Sequence, residues 1–310
     1  MKKTINIEIN LFYNFNGDYV NKVYFVKEID GKSLVKVFDA LNVELKGNVA
    51  VKISTGEPGG NNFLNPLLIK DLVVKINGTI VECNTAYKGK RYDAKSHYEA
   101  AEKHGFTQVS KVDIMDEDGE VALVVKEGMH LQENYVGKNF LNYDSMLVLS
   151  HFKGHQMGGY GGALKNMSIG IASRNGKAWI HSGGVTKNPK TMWFKLPKQD
   201  VFLECMAEAC KSVIDHLKPE NIVYINVVNN LSIDCDCNAH PEKPCMADIG
   251  ILASTDPVAL DQACLDLIYQ SNDEGKKRLI ARIEKMNGPH ILEHAESLKI
   301  GSRQYELVQI

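Results

Sequence analysis

Between Ser150 and Gly170 the chain reads SHFKGHQMGGYGGALKNMSIG, with His151, Lys153, His155 and Lys165 set among six glycines. Imidazole titrates near neutrality and binds transition metals, while a lysine amine forms carbonyl adducts or grips an anion. Every glycine costs conformational entropy on ordering, so this many point to a backbone that something approaches closely. Gly158, Gly159, Gly161 and Gly162 would let amide groups face a ligand or cofactor. Lys165 and Asn166 follow on a helix whose positive end is expected to favour an anion. The string fits neither GxGxxG nor Walker A. With His181 further along, His155 and Lys165 make a candidate catalytic set; the competing reading is a tight turn with solvated side chains. Lys90 and Arg91 form a second basic pair, in which Arg91 could clamp a carboxylate bidentately or simply belong to a solvated turn.

A separate segment, NNLSIDCDCNAHPEKPCMADIG, sets Cys235, Cys237, His240 and Cys245 within eleven residues. Such density of soft and borderline ligands is expected of a metal site. The spacing C-x-C-x7-C is neither a ferredoxin run nor a paired-CxxC ribbon, so the metal stays open. Three cysteines with one exchangeable position suit an iron–sulfur cluster, three with His240 suit zinc, and unligated thiols remain the plain alternative. Cys83, Cys205, Cys210 and Cys264 are expected to pack in the core. In a reducing cytosol the seven cysteines read as thiols or ligands rather than disulfides.

These residues need a frame, and the pattern supplies one. Short β-branched runs alternate with helix-like stretches, which gives an α/β protein with mainly parallel sheets flanked by helices. Strands are expected at 48–53, 79–83, 145–149, 221–228 and 249–253, and helices at 66–76, 94–104, 202–217, 256–269 and 275–287. Gly105 should close the helix before it, and Asp256 should cap the helix that Pro257 begins. Asp261 is expected either to support a histidine or to be solvated. The glycine-rich stretch follows SMLVL, at the carboxyl end of a strand, where open α/β sheets bind ligands. KNPKTMWFKLPKQ at 187–199 suggests two lobes with a cleft between them: residues 1–186 with the His/Lys loop, and a smaller lobe of residues 187–310 with the cysteine loop. One continuous domain is the alternative.

The 310 residues carry 36 Lys and Arg against 38 Asp and Glu, so net charge gives no footprint for nucleic acid or an anionic membrane. A small anionic molecule, a redox partner or a second copy of the chain are the expected partners. MKKTINIEIN alternates instead of forming an apolar signal region, and reads as a strand of a cytoplasmic protein.

The strings HFKGHQMGGYGGALKNMSIGIASRNGKAWIHSGG, CDC at 235–237 and DIGILASTDPVALDQA at 248–263 closely resemble the uncharacterised family DUF362. Members are commonly described as iron–sulfur proteins, and many carry an inserted CxxCxxC ferredoxin module. Here the cysteines between residues 84 and 234 are Cys205 and Cys210 alone, so the module is missing. More distantly, the chain is similar to lactate racemases, whose PH-x-x-x-G-x-x-GG-x-K segment overlays His155, Gly159, Gly162 and Lys165, with His181 as the later histidine. That resemblance implies a nickel-pincer nucleotide anchored on Lys165, nickel ligated by His181 and proton transfer by His155. Gly89-Lys90-Arg91 stands at the racemases' G-x-HR motif, with Lys90 in place of the second histidine.

Three functions are left open: a metal- or iron–sulfur-dependent enzyme acting on a small anion near Lys165 and His155, an electron- or sulfur-transfer protein using the Cys235 segment, or a binding module for a phosphorylated ligand.

Overall fold

The computed structural model describes residues 20–310; the strand expected in MKKTINIEIN lies outside them. The chain begins with β1 (Asn21–Val26), α1 (Gly31–Ala40), β2 (Val49–Lys52), α2 (Pro66–Lys75), β3 (Thr79–Glu82), α3 (Ala94–Lys103) and β4 (Val112–Ile114). Gly105 follows α3 with φ of 88°, as expected of a helix-terminating glycine. A small antiparallel pair, β5 (Glu120–Val124) and β6 (Glu133–Gly137), precedes β7 (Ser145–His151).

The glycine-rich stretch then forms a tight hairpin of β8 (Lys153–His155) and β9 (Gly159–Gly161), followed by α4 (Ala163–Ser168) and α5 (Arg174–His181). The remainder is α6 (Gln199–Leu217), β10 (Ile222–Val228), β11 (Gly250–Ser254), α7 (Pro257–Gln270), α8 (Lys276–Lys285), α9 (His290–Ser297) and β12 (Tyr305–Gln309). Asp256 caps α7 as expected, accepting from the backbone N–H of Val258 and Ala259 at 2.8 and 3.0 Å.

Eight strands form one sheet in the order β12-β1-β11-β10-β7-β2-β3-β4. All neighbours are parallel except β11, which runs antiparallel to both β1 and β10. The segment 187–199 does not divide this sheet, because β7 before it pairs with β10 after it.

Helices cover both faces, which is why the central strands are apolar throughout. In β10, Val223, Ile225 and Val227 pack with Leu34, Val37, Ile69 and Leu72 of α1 and α2, while Ile222, Tyr224 and Val228 pack with α4, α6 and α7 on the other side. Among the described residues, no helix is long and apolar enough to cross a membrane.

A cation-lined candidate active site

The carboxyl ends of β2, β3 and β7 open onto a cavity of about 390 Å³, closed by the β8–β9 hairpin, α4, α5 and the loop after β10. Its walls bring together His155, Lys165, His181, Arg91, Asn166, Gly161, Gly162, Cys235 and Cys237. Residues far apart in sequence therefore share one site.

Lys165 is half-buried and lines this cavity, and among the described residues its amine has no hydrogen bond or ion pair. Burial, with Lys52 nearby, pushes its pKa down to about 8. His181 donates from Nδ1 to the Lys177 carbonyl at 2.6 Å, which leaves Nε2 with a free lone pair. Burial lowers its pKa to about 4, so the ring is neutral at physiological pH. His155 is set the other way. Its Nδ1 accepts from the N–H of Gly158 at 2.8 Å and of Met157 at 3.3 Å, so Nε2 carries the hydrogen. Burial, together with Lys165 and His181, holds its pKa well below the usual histidine range. The site thus pairs one imidazole presenting N–H with one presenting a lone pair.

Several further side chains of the cavity wall were not among the candidates read from the sequence. Lys52, Lys153 and Lys177 are buried and line the cavity beside Lys165 and Arg91. Lys52 donates to the Ile53 carbonyl at 2.7 Å and to Asn166 Oδ1 at 3.0 Å, and burial lowers its pKa to about 8. Lys177 donates to the Ala172 carbonyl at 2.5 Å. Lys153 and His151 both grip the carboxylate of Asp236, at 2.5 and 3.0 Å. Burial pushes that carboxyl up, but the two partners outweigh it and hold the pKa at about 2. One signal was readable: Lys52 and Glu82 are charged residues ending otherwise apolar strands, VAVK and TIVE, at the sheet edge where sites form.

Arg91 is in the wall, but the carboxylates it clamps are the protein's own. Its Nε donates to Glu57 at 3.1 Å, Nη1 to Glu82 at 3.3 Å and Nη2 to the Tyr87 hydroxyl at 3.2 Å. Lys90 is exposed and not among the lining residues; its backbone N–H, donated to Glu57 at 2.5 Å, is what the turn uses. The amide of Asn166 ties α4 to the Lys52 and Leu149 carbonyls at 3.0 and 3.2 Å. Gly158 and Gly159 lie in the hairpin rather than in the cavity wall.

The helix after the glycines does attract an anion at its N-terminus, but that anion is Asp261 of α7. Its carboxylate accepts from Ala163 and Leu164 N–H at 2.8 and 3.0 Å and from Asn226 Nδ2 at 2.7 Å. A Cβ at Gly162 would fall 2.3 Å from Asp261 Oδ1, so only glycine admits this contact. Asp261 is buried, neither solvated nor bonded to a histidine, and the α4 N-terminus is closed to a ligand.

The cysteine segment also departs from expectation. Cys235 and Cys237 are joined in a disulfide. With His155 they form the group of His, Cys, Asp and Glu ligand atoms that lie within 4.8 Å of one another among the described residues. The structure does not bring His240 or Cys245 into it: His240 is exposed, and Cys245 Sγ meets the Leu231 carbonyl at 3.3 Å. The two are carried off as the loop runs back from the cavity to β11. Cys83, Cys205, Cys210 and Cys264 are buried, as core packing requires.

Solved structures similar to this chain include the lactate racemase apoprotein from Thermoanaerobacterium thermosaccharolyticum, at 12% identity and a TM-score of 0.45, covering 81% of this chain and 57% of that one. A protein from Thermotoga maritima aligns at 12% identity and a TM-score of 0.42, covering 88% of this chain and 61% of that one. The chain thus spans roughly three fifths of the length of these structures. No curated protein matches it. The model of the domain of unknown function DUF362 matches residues 49–266, most of the sheet and every residue of the cavity wall, and the chain belongs to that family.

Proposed function

We propose that the cavity is the active site of an enzyme acting on a small anion, with Lys165 contacting its charge or carbonyl and His155 and His181 moving protons beside it. The observation that supports this most is the charge around Lys165. Lys52, Arg91, Lys153, Lys165 and Lys177 face Glu82 and Asp236 in the wall, and Glu57 behind Arg91. Five cations against three carboxylates leave an excess of two positive charges in and behind the wall of a concave site, which favours an anionic ligand. Among the described residues, Lys165 is the one of the five without a hydrogen-bond or ion-pair partner.

Titration calorimetry with sulfate, whose charge is fixed over the range used, and with oxalate tests this. Both should bind. Lys165→Met should weaken binding by about tenfold, the loss of roughly one charge-assisted hydrogen bond. The Lys165 amine loses its charge as pH rises through about 8, so affinity should fall across that interval and not below it. Equal affinities in the two proteins, or no binding in either, would reject the assignment.

A second reading is favoured by the Cys235, Cys237 and His155 group. In the dithiol state two thiolates and one imidazole would suit a single borderline metal ion such as zinc or nickel. Three cysteines do not converge, so the donor set does not suit the iron–sulfur cluster considered for this segment. The lactate-racemase-like motif adds a cofactor to this reading. Lys165, with its unbonded amine, and His181, with its free Nε2, fit the anchor and metal ligand of a nickel-pincer-type nucleotide, which would supply an electrophilic metal centre. Lys90, outside the wall, does not fit the second acid–base position.

A further inference from the structure

We infer that Cys235 and Cys237 are a redox-active dithiol that exchanges with small anionic disulfides admitted to the cation-lined cavity. The inference rests on the anion-binding reading above for its charge selectivity, and on the cysteine geometry for its chemistry.

Both cysteines belong to the cavity wall, and the structure holds them in their joined form. The loop is pinned at every residue between and beside them. The Asp236 carboxylate is held by Lys153 and His151 at 2.5 and 3.0 Å, and its carbonyl accepts from Glu57 N–H at 2.8 Å. The Cys237 carbonyl accepts from the Tyr87 hydroxyl at 3.2 Å, and the Cys235 carbonyl from Asn238 N–H at 3.0 Å. With the backbone fixed, the sulfurs can part or join by side-chain rotation alone. The N–H of Cys237 points at Cys235 Sγ from 3.4 Å, a contact that favours negative charge on that sulfur.

The surroundings restrict the partner. Cys235 is only 7% exposed and Cys237 is half-buried, and both line a cavity of about 390 Å³, which a folded redox protein cannot enter. The cationic wall favours a negatively charged reactant. The neighbouring thiols do not compete. Cys83 also faces the cavity, but burial pushes its thiol far up and it donates to the Ile171 carbonyl at 3.2 Å.

In the exchange, one cysteine thiolate attacks a sulfur of RSSR, breaking that S–S bond and releasing one RS⁻. The second cysteine attacks the resulting mixed disulfide, forming the Cys235–Cys237 bond and releasing a second RS⁻. Two electrons pass from the protein dithiol to the substrate, and the two thiol protons end on two RSH. An excess of the same small thiol drives the reverse reaction.

The test uses the full chain carrying Cys245→Ser, reduced and kept in chelator, and exposed separately to dithiodiglycolate, 2-hydroxyethyl disulfide and cystamine. Intact mass reads the loss of two hydrogens, peptide mapping locates the bond, and each rate is divided by that of the urea-unfolded chain. The dianionic disulfide should react about tenfold faster than the dicationic one on this scale, the lower end of electrostatic focusing by a charged cleft. Lys165→Met should bring the ratio towards one; if that variant misfolds, added salt should do so in the parent chain. Absence of a Cys235–Cys237 bond with every disulfide, or a preference for cystamine, overturns the inference. Bound sulfate with silent cysteines overturns it while leaving the anion site standing. Reactive cysteines without charge preference and without bound sulfate overturn both.

Discussion

His155 and His181 are both neutral, yet their hydrogen bonds give them opposite faces, and this separates their chemistry. His181 already offers an Nε2 lone pair because the Lys177 carbonyl takes its Nδ1 hydrogen. His155 can ligate a metal only if its Nε2 hydrogen leaves or the amides of Gly158 and Met157 yield Nδ1. Metal binding at Cys235, Cys237 and His155 should therefore be led by the sulfurs. One equivalent of Co²⁺ added to the reduced protein should produce thiolate-to-cobalt absorption, abolished by Cys237→Ser and only weakened by His155→Ala; a reduced protein showing no such band would remove the metal reading. His155, Lys165, His181, Cys235 and Cys237 were readable because each is a reactive type in an unusual local string. Lys153 and Asp236 were not, since each looks like an ordinary charged residue until folding sets one against the other across the cavity floor.

The main elements were legible because hydrophobic period and turn chemistry are local. VAVK, TIVE and SMLVL are buried on both faces, Gly105 sits where α3 must stop, and Asp256-Pro257 begins α7. What period could not give is which elements meet. The positive end of α4 was expected to await a ligand; the anion it holds comes from Asp261, whose hydrogen bond to Ala163 spans a separation of 98 residues. Nor did the sequence show why the connection between antiparallel β10 and β11 runs from 229 to 249, when such a turn needs only two to five residues. The extra chain carries Cys235, Asp236 and Cys237 over the sheet's carboxyl edge. The Asp261 contact fixes α4 and therefore Lys165. Asp261→Ala strips the cap from two buried N–H groups and should cost about 2–4 kcal/mol of stability, while Asp261→Asn, which keeps one acceptor, should cost less. Urea unfolding measures both. The alanine variant should also bind sulfate more weakly, and unchanged stability would show that α4 does not depend on the cap.

Across the whole molecule, the same burial that shapes the site sets how the fold responds to acid. Burial lowers the pKa of His97, His104, His155 and His181, the last to about 4. For such groups the unfolded chain binds more protons than the native one, so their contribution is complete above the ordinary histidine value of about 6.5 and is lost as pH falls below it. Opposing them, burial raises Asp261 to about 6 and raises Asp256, and the Glu204 and Glu293 carboxylates raise His290 against its burial; these three favour the native state as pH falls. Asp236, held at about 2, begins to matter only below the ordinary aspartate value of about 4. At pH 5.5 an unfolded histidine carries about 0.9 of a proton; His155 and His181 lose most of it on folding and His97 and His104 lose part of it, whereas Asp261 and Asp256 each gain less than one proton, so the four histidines together should outweigh the two aspartates. The urea midpoint should therefore fall between pH 7 and pH 5, and fall less in His97→Gln, which removes one buried imidazole outside the cavity wall. A midpoint that rises over that interval would mean that the aspartates, not the histidines, govern the fold's acid response.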